Sequence, residues 1–202
     1  MSETPEILRQ LARKRTSGET CELCGQEIPA EHPHLADPES RQLLCSCRAC
    51  ALLFSRRADT RYHLVPDRVR VLENFAITEE LWESLLIPVN LAYFFFHSPA
   101  NKIVALYPGP AGSTESLLTL DAWQELVEAN PALADMEPDV EGLLLNRVGD
   151  GREYFIAPID RFYELVGLIK TGWTGLSGGT DVWRDVAGFF DRLRRQGERV
   201  TA

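Results

Sequence analysis

Residues 21–25 read Cys21-Glu22-Leu23-Cys24-Gly25, and residues 47–54 read Cys47-Arg48-Ala49-Cys50-Ala51-Leu52-Leu53-Phe54. Two CxxC pairs separated by residues 25–46, 22 in all, form a strong pattern for tetrahedral thiolate coordination. Cysteines three apart place both sulfurs on one side of a tight turn. Two such turns supply four ligands at the roughly 2.3 Å that zinc requires. Gly25 suits a knuckle, where the chain turns sharply and backbone N–H groups point at sulfur. The second pair runs into an apolar segment that favours helix. This puts Cys47 and Cys50 at a helix N-terminus, where the dipole stabilises thiolates.

The ligand set read from this spacing is Cys21, Cys24, Cys47 and Cys50. A knuckle followed by a ligand pair at a helix start resembles the treble-clef arrangement of zinc fingers. The fifth thiol, Cys45, reads as a small buried residue beside the site, with replacement of Cys47 as the alternative. His32 and His34 lie between the pairs and carry good zinc-ligating groups, but four thiolates already fill a structural site. Iron is the competing metal. Rubredoxins also use two CxxC pairs, but both of theirs are knuckles followed by glycine, whereas Cys50 leads into Ala51 and an apolar run. That departure favours Zn(2+) over a rubredoxin-like iron-binding electron carrier.

Outward from the cysteines, the 202-residue chain is 25% charged and 45% hydrophobic, the balance of a globular protein. Its net charge of −9 is unevenly spread. Residues 1–70 hold 11 Lys+Arg against 10 Asp+Glu, and residues 71–202 hold 10 against 20. An acidic body repels phosphate backbones, so a nucleic-acid partner is not expected. The basic clusters Arg13-Lys14-Arg15 and Arg56-Arg57 read as solvated helix ends. Met1 to Arg15 has no apolar segment of a signal peptide, and Leu91 to Phe96 is too short to span a bilayer. The expectation is a cytoplasmic protein with no membrane insertion, where clustered thiols bind metal in preference to forming disulfides.

The division read from these features is an N-terminal helix and four-cysteine zinc-binding module over 1–70, followed by an acidic α+β domain over 71–202. Thr4-Pro5-Glu6 opens the first helix, which Gly18 stops. Tyr62 to Val71 reads as extended, and Thr78 caps a short helix ending before Pro88. Val89 to His97 and Lys102 to Tyr107 form a hairpin, as do Leu143 to Val148 and Arg152 to Pro158. Helices are expected over Asp121–Asn130, with Asp121 and Gln124 as a capping box, and over Asp160–Lys170. A third, over about 180–195, is capped by Thr180. Hairpins do not make a parallel sheet, so the expected body is an antiparallel sheet with helices on one face. The run Tyr93 to Phe96 reads as a strand buried on both faces.

Other signals carry little chemistry. The loop Tyr107 to Thr114 lacks the Gly-Lys-Ser/Thr ending of a phosphate loop. Thr174 to Thr180 reads as a connecting loop, His97 as a satisfied strand-end residue, and Ser113 and Ser116 have no nearby His or Asp constellation for nucleophilic catalysis. No catalytic constellation emerges, so an enzyme is not expected.

Five stretches together carry a wider likeness: CELCG at 21–25, HPHLADPESRQLLCSCRACALLF at 32–54, PVNLAYFFFHS at 88–98, YPGPAGSTESLLTLDAW at 107–123 and GLSGGTDVW at 175–183. They resemble an uncharacterised, mainly actinobacterial domain-of-unknown-function family associated with gene clusters for NiFe hydrogenases. The resemblance implies an accessory or assembly protein whose partner is a hydrogenase subunit or maturation factor. It brings no catalytic residues with it. Cysteines 21, 24, 45, 47 and 50 match that family's cysteine-rich segment.

Overall fold

The computed structural model describes residues 18–55, 60–85, 87, 89–116, 120–149, 151–175 and 178–202. The helix expected after Thr4 lies outside them. Near the N-terminus, β1 (His34–Asp37) and β2 (Gln42–Cys45) form an antiparallel hairpin, and β3 (His63–Leu64) pairs with the other edge of β1. Between them, α1 (Arg48–Ser55) follows β2 after two residues. Cys47 caps this helix: its carbonyl accepts from Ala51 N–H at 2.9 Å, and its sulfur accepts from Cys50 N–H at 3.4 Å.

The rest is one seven-stranded sheet. Its strands are β4 (Arg70–Glu73), β5 (Leu91–His97), β6 (Lys102–Gly109), β7 (Gly112–Glu115), β8 (Glu141–Asn146), β9 (Glu153–Pro158) and β10 (Glu198–Thr201). They lie in the order β10-β4-β9-β8-β5-β6-β7. Every pairing is antiparallel except β4 with β10 at one edge. The chain reaches β10 from β9 through α4 (Ile159–Gly172) and α5 (Gly179–Gln196), which carry it past β4 to the edge of the sheet. The fold is α+β, with antiparallel sheets and helices.

Helices cover both faces of the large sheet, not one. On one face Tyr93, Leu144 and Phe155 meet Phe162 and Leu165 of α4 and Val186 and Phe190 of α5. On the other, Phe94, Leu143 and Ile156 meet α2 (Glu79–Ser84) through Leu81 and α3 (Leu120–Ala129) through Trp123 and Leu126. The cause is parity. Successive side chains on a strand point to opposite faces. β5 (LAYFFFH) and β8 (EGLLLN) are apolar at both parities, so neither face can be left to water. Gly142 belongs to this packing, because a Cβ there would meet the Phe94 carbonyl and stand 2.7 Å from Phe162 Cε2.

Other boundaries shift modestly. α3 begins at Leu120, so Asp121 lies inside the helix instead of capping it. α5 is capped by Gly178 at φ 90°, a left-handed conformation that glycine adopts without strain, and Thr180 falls in its first turn. Thr78 does cap α2, accepting from Leu81 N–H at 3.1 Å. Among the described residues no helix is long and apolar enough to cross a membrane.

The small sheet is not a detached lobe. Ala36, Val65 and Val69 belong to the same apolar cluster as α4 and α5. His34 Nδ1 meets Asp160 Oδ2 at 3.0 Å at the start of α4. These contacts seat the cysteine-bearing segment on the end of the larger sheet's helical layer.

Candidate metal centre

The first CxxC pair is held by a narrow turn. Cys21 N–H donates to the Gln26 carbonyl at 2.8 Å, and Gly25 N–H donates to the Cys21 carbonyl at 2.7 Å. Gly25 sits at φ 75°, so a glycine is what lets the chain reverse here. A bridge between Thr20 and Glu27 and an Ile28 N–H bond to the Glu19 carbonyl at 3.0 Å close the turn's base. Glu22 N–H then reaches the Cys45 carbonyl at 2.9 Å, and the Glu22 carboxylate accepts from Cys45 N–H at 2.6 Å. The knuckle is thereby tied to the end of β2, just ahead of the second pair.

This brings Cys21, Cys24, Cys47 and Cys50 together with their sulfurs within 4.8 Å of one another. All five cysteines of the chain are free thiols. Cys24 Sγ and Cys47 Sγ lie 3.8 Å apart. A tetrahedron of sulfurs at roughly 2.3 Å from its centre has edges of about 3.8 Å, so this separation matches one edge of a tetrahedral four-thiolate metal site. Cys21, Cys47 and Cys50 are buried and Cys24 is exposed.

Cys21, Cys24 and Cys50 sit in opposed electrostatic surroundings. Burial raises Cys21, but backbone N–H groups of Cys47, Leu23 and Cys24 aimed at its sulfur outweigh this and lower it to about 6. Burial and the thiols of Cys47, Cys24 and Cys21 push Cys50 up to about 12. Cys24 is raised too: the Gln26 N–H lowers it, but its Cys21 and Cys47 neighbours, together with burial, override that bond. One thiolate forms readily here, and further ones are opposed by like charge and desolvation. A divalent cation removes that opposition, because metal ligation deprotonates a thiol outright. The four cysteines could therefore hold a metal ion.

The other candidates fall elsewhere. Cys45 is outside the four-sulfur cluster, as are His32 and His34. These three gather with one another, a ring nitrogen from each histidine and the Cys45 sulfur lying within 4.8 Å. Burial, followed by the charges of Glu22 and Glu19, raises the Cys45 thiol. His97 is buried, and its Nε2–H donates to the Pro38 carbonyl at 2.8 Å, while Nδ1 has no partner among the described residues.

His97 also lines a feature the sequence does not announce: a cavity of about 240 Å³ between the β1–β2 hairpin and α4. Asp37, Arg41, Tyr93 and Tyr163 contribute to its wall. Burial pushes Tyr93 up to about 12, although its hydroxyl is hydrogen-bonded to Ser113. Ser113, read as part of a plain loop, thus belongs to β7 and to this wall. The cavity joins segments remote in sequence, so no local motif could have signalled it.

The model of a protein family described as "Family of unknown function (DUF5947)" matches residues 20–197. No curated protein and no solved structure matches the chain.

Proposed function

We propose that this chain, which belongs to the DUF5947 family of unknown function, is a zinc-binding accessory protein. Its Cys21, Cys24, Cys47 and Cys50 hold one structural Zn(2+) in a treble-clef-like module. The observation that carries this reading is the four-sulfur cluster with its 3.8 Å sulfur–sulfur edge. The order of elements supports the treble-clef description: a knuckle at Cys21–Cys24, the β1–β2 hairpin, then α1 with Cys47 at its cap. Zinc's role here is to fix the knuckle against the helix start. With four protein ligands the ion is closed to substrate, which suits structure and not catalysis.

The module serves to present a protein surface. The resemblance to a family associated with NiFe hydrogenase gene clusters supplies the partner class, a hydrogenase subunit or maturation factor. The net charge of −10 over residues 71–202, from 10 Lys+Arg and 20 Asp+Glu, supports a protein partner over nucleic acid.

Iron in a rubredoxin-like electron carrier is the second reading, and it uses the same four sulfurs. Against it stands the helix cap at Cys47, which replaces the second glycine-terminated knuckle. Elemental analysis of protein purified without chelator decides between the metals. One zinc per chain and a colourless protein support the proposal, whereas stoichiometric iron with strong visible thiolate absorption replaces it by the second reading. Pull-down from the native host under hydrogenase-expressing conditions tests the partner. Consistent absence of hydrogenase components refutes that part.

A further inference from the structure

His32, His34 and Cys45 lie outside the four-cysteine cluster, yet their ligand atoms converge within 4.8 Å. Sheet geometry brings them together. His34 and Cys45 are directly paired across the β1–β2 hairpin, so their side chains leave the same face. His32, two residues before His34, lies just ahead of β1. The two imidazoles meet edge to face with ring centroids 4.9 Å apart.

The hydrogen bonds fix which nitrogen each ring offers. His32 Nδ1 is 2.8 Å from the Pro29 carbonyl oxygen and 3.4 Å from Glu19 Oε2, both acceptors, so Nδ1 is the donor and the neutral ring keeps Nε2 as its acceptor nitrogen. His34 Nδ1 is 3.0 Å from Asp160 Oδ2 and is fixed in the same way. A histidine donating one nitrogen to a carbonyl or carboxylate and keeping the other bare is the outer arrangement of metal-ligating imidazoles. The His32 side chain is only 5% exposed, and its Nε2 is buried with no hydrogen-bond partner among the described residues. A bare lone pair left buried is a cost that a bound cation would remove. Cys45 is a free, partly exposed thiol whose N–H is held by Glu22, which fixes the backbone that carries the sulfur.

We propose that His32 Nε2, His34 Nε2 and Cys45 Sγ form a second metal site, distinct from the four-cysteine centre. Two imidazoles and one thiolate suit a borderline-soft divalent ion of the zinc, cobalt, nickel and copper group. Cys45 binds as thiolate and releases its proton on binding. Three protein ligands leave one tetrahedral position for water or an exogenous donor. The His34 side chain is 28% exposed, so that position has access to solvent. Unlike the closed four-sulfur centre, this site can exchange a ligand or hand on its ion. Asp160 acts through His34 and is a positioning residue.

The test is titration of the full-length chain, as purified with its resident metal, with Co(2+), read by visible absorption and by bound metal after desalting. The expected result is one further equivalent, with a thiolate-to-cobalt charge-transfer band. His32→Ala and His34→Ala should each weaken its binding at least 10-fold, and Asp160→Asn about 10–100-fold. Cys45→Ser should abolish the charge-transfer band of the added equivalent. Resident metal should stay unchanged in Cys45→Ser and Asp160→Asn, which separates failure of this site from failure of the four-cysteine reading. His34→Gln, nearer in size, is read alongside, with circular dichroism to confirm that each variant is folded. The proposal is overturned if wild type takes up no further cobalt, if the folded His32→Ala/His34→Ala double variant binds it with unchanged affinity, or if the band survives in Cys45→Ser.

Discussion

Removing the metal from the four-cysteine centre, by chelation or by Cys24→Ser, should release the segment around residues 18–33 while leaving the large sheet folded. Among the described residues, the cluster surrounding the sulfurs contains one buried apolar side chain besides the cysteines, Ile28, with Leu23 and Phe54 partly buried against it. Burying Ile28 contributes at most about 3 kcal/mol. Ordering each residue of a knuckle costs about 1–2 kcal/mol in backbone entropy alone. A structural zinc contributes on the order of 10 kcal/mol, so the ion is the main support of this segment. The larger body has its own two apolar clusters, with Phe94, Leu143, Phe155 and Phe162 at most 1% exposed. The assay is amide hydrogen exchange by mass spectrometry, with and without chelator. The amides of Cys21, Gly25 and Ile28, all bonded within the knuckle, should lose protection by on the order of 100-fold or more. Amides of β8 should be unchanged. Unaltered exchange at Cys21, Gly25 and Ile28 after verified metal removal would refute the argument that metal holds the knuckle. Equal loss in β8 would refute the independence of the body.

Three further outcomes follow from the packing and charges. Gly142→Ala should destabilise the chain by about 3 kcal/mol, because the added methyl meets the Phe94 backbone and Phe162 with no flexible end to yield; urea midpoints read this, and a wild-type midpoint contradicts it. Glu141 is fully buried and accepts from Arg68 Nε at 2.7 Å, Arg70 Nη2 at 3.2 Å and Glu137 N–H at 3.0 Å. Glu141→Ala should therefore cost roughly 3–5 kcal/mol, since Arg70 is left as an unpaired, largely buried charge; the same urea series measures it. Asp37 is lowered from 3.8 to about 2, chiefly by its hydrogen bonds from Arg61. A depressed carboxyl stabilises the fold above its unfolded value, so this contribution is complete above about pH 4 and is lost as pH falls through about 2. Asp37→Asn should flatten that part of the acid-unfolding curve, and an unchanged slope between pH 4 and 2 would count against the pairing.

How far these features are legible in sequence depends on the range of the interaction that makes them. Thr78, the two expected hairpins β5–β6 and β8–β9 and the α5 stripe are set within a few residues, and each is found close to where periodicity and capping place it, whereas the β6–β7 hairpin forms where the sequence reads as a loop. The four-cysteine cluster is nearly as local, since each CxxC turn is self-contained and the pairs need only one meeting. What sequence missed depends on chain brought in from elsewhere. β4 and β10 are short, and their pairing joins Arg70–Glu73 to Glu198–Thr201, at opposite ends of the large sheet's sequence. Helices on both faces could have been inferred from the double parity of β5 and β8, but only by giving that burial precedence over the expected one-sided layer.

The His32, His34 and Cys45 cluster shows the same limit at the level of chemistry. His-Pro-His alone shows two imidazoles two residues apart, and Cys45 alone looks like the odd thiol beside a complete set. Their relation exists only because Pro38 to Arg41 turns the hairpin, with Arg41 at φ 54°, and so registers Cys45 opposite His34. A shift of one residue in that register would turn Cys45 to the other face and away from both rings. The tautomer depends on a longer reach still, because the carboxylate that holds His34 Nδ1 belongs to Asp160, the second residue of α4. Ligand type is thus written in the sequence at three positions, whereas their convergence and the bare nitrogens are products of the fold.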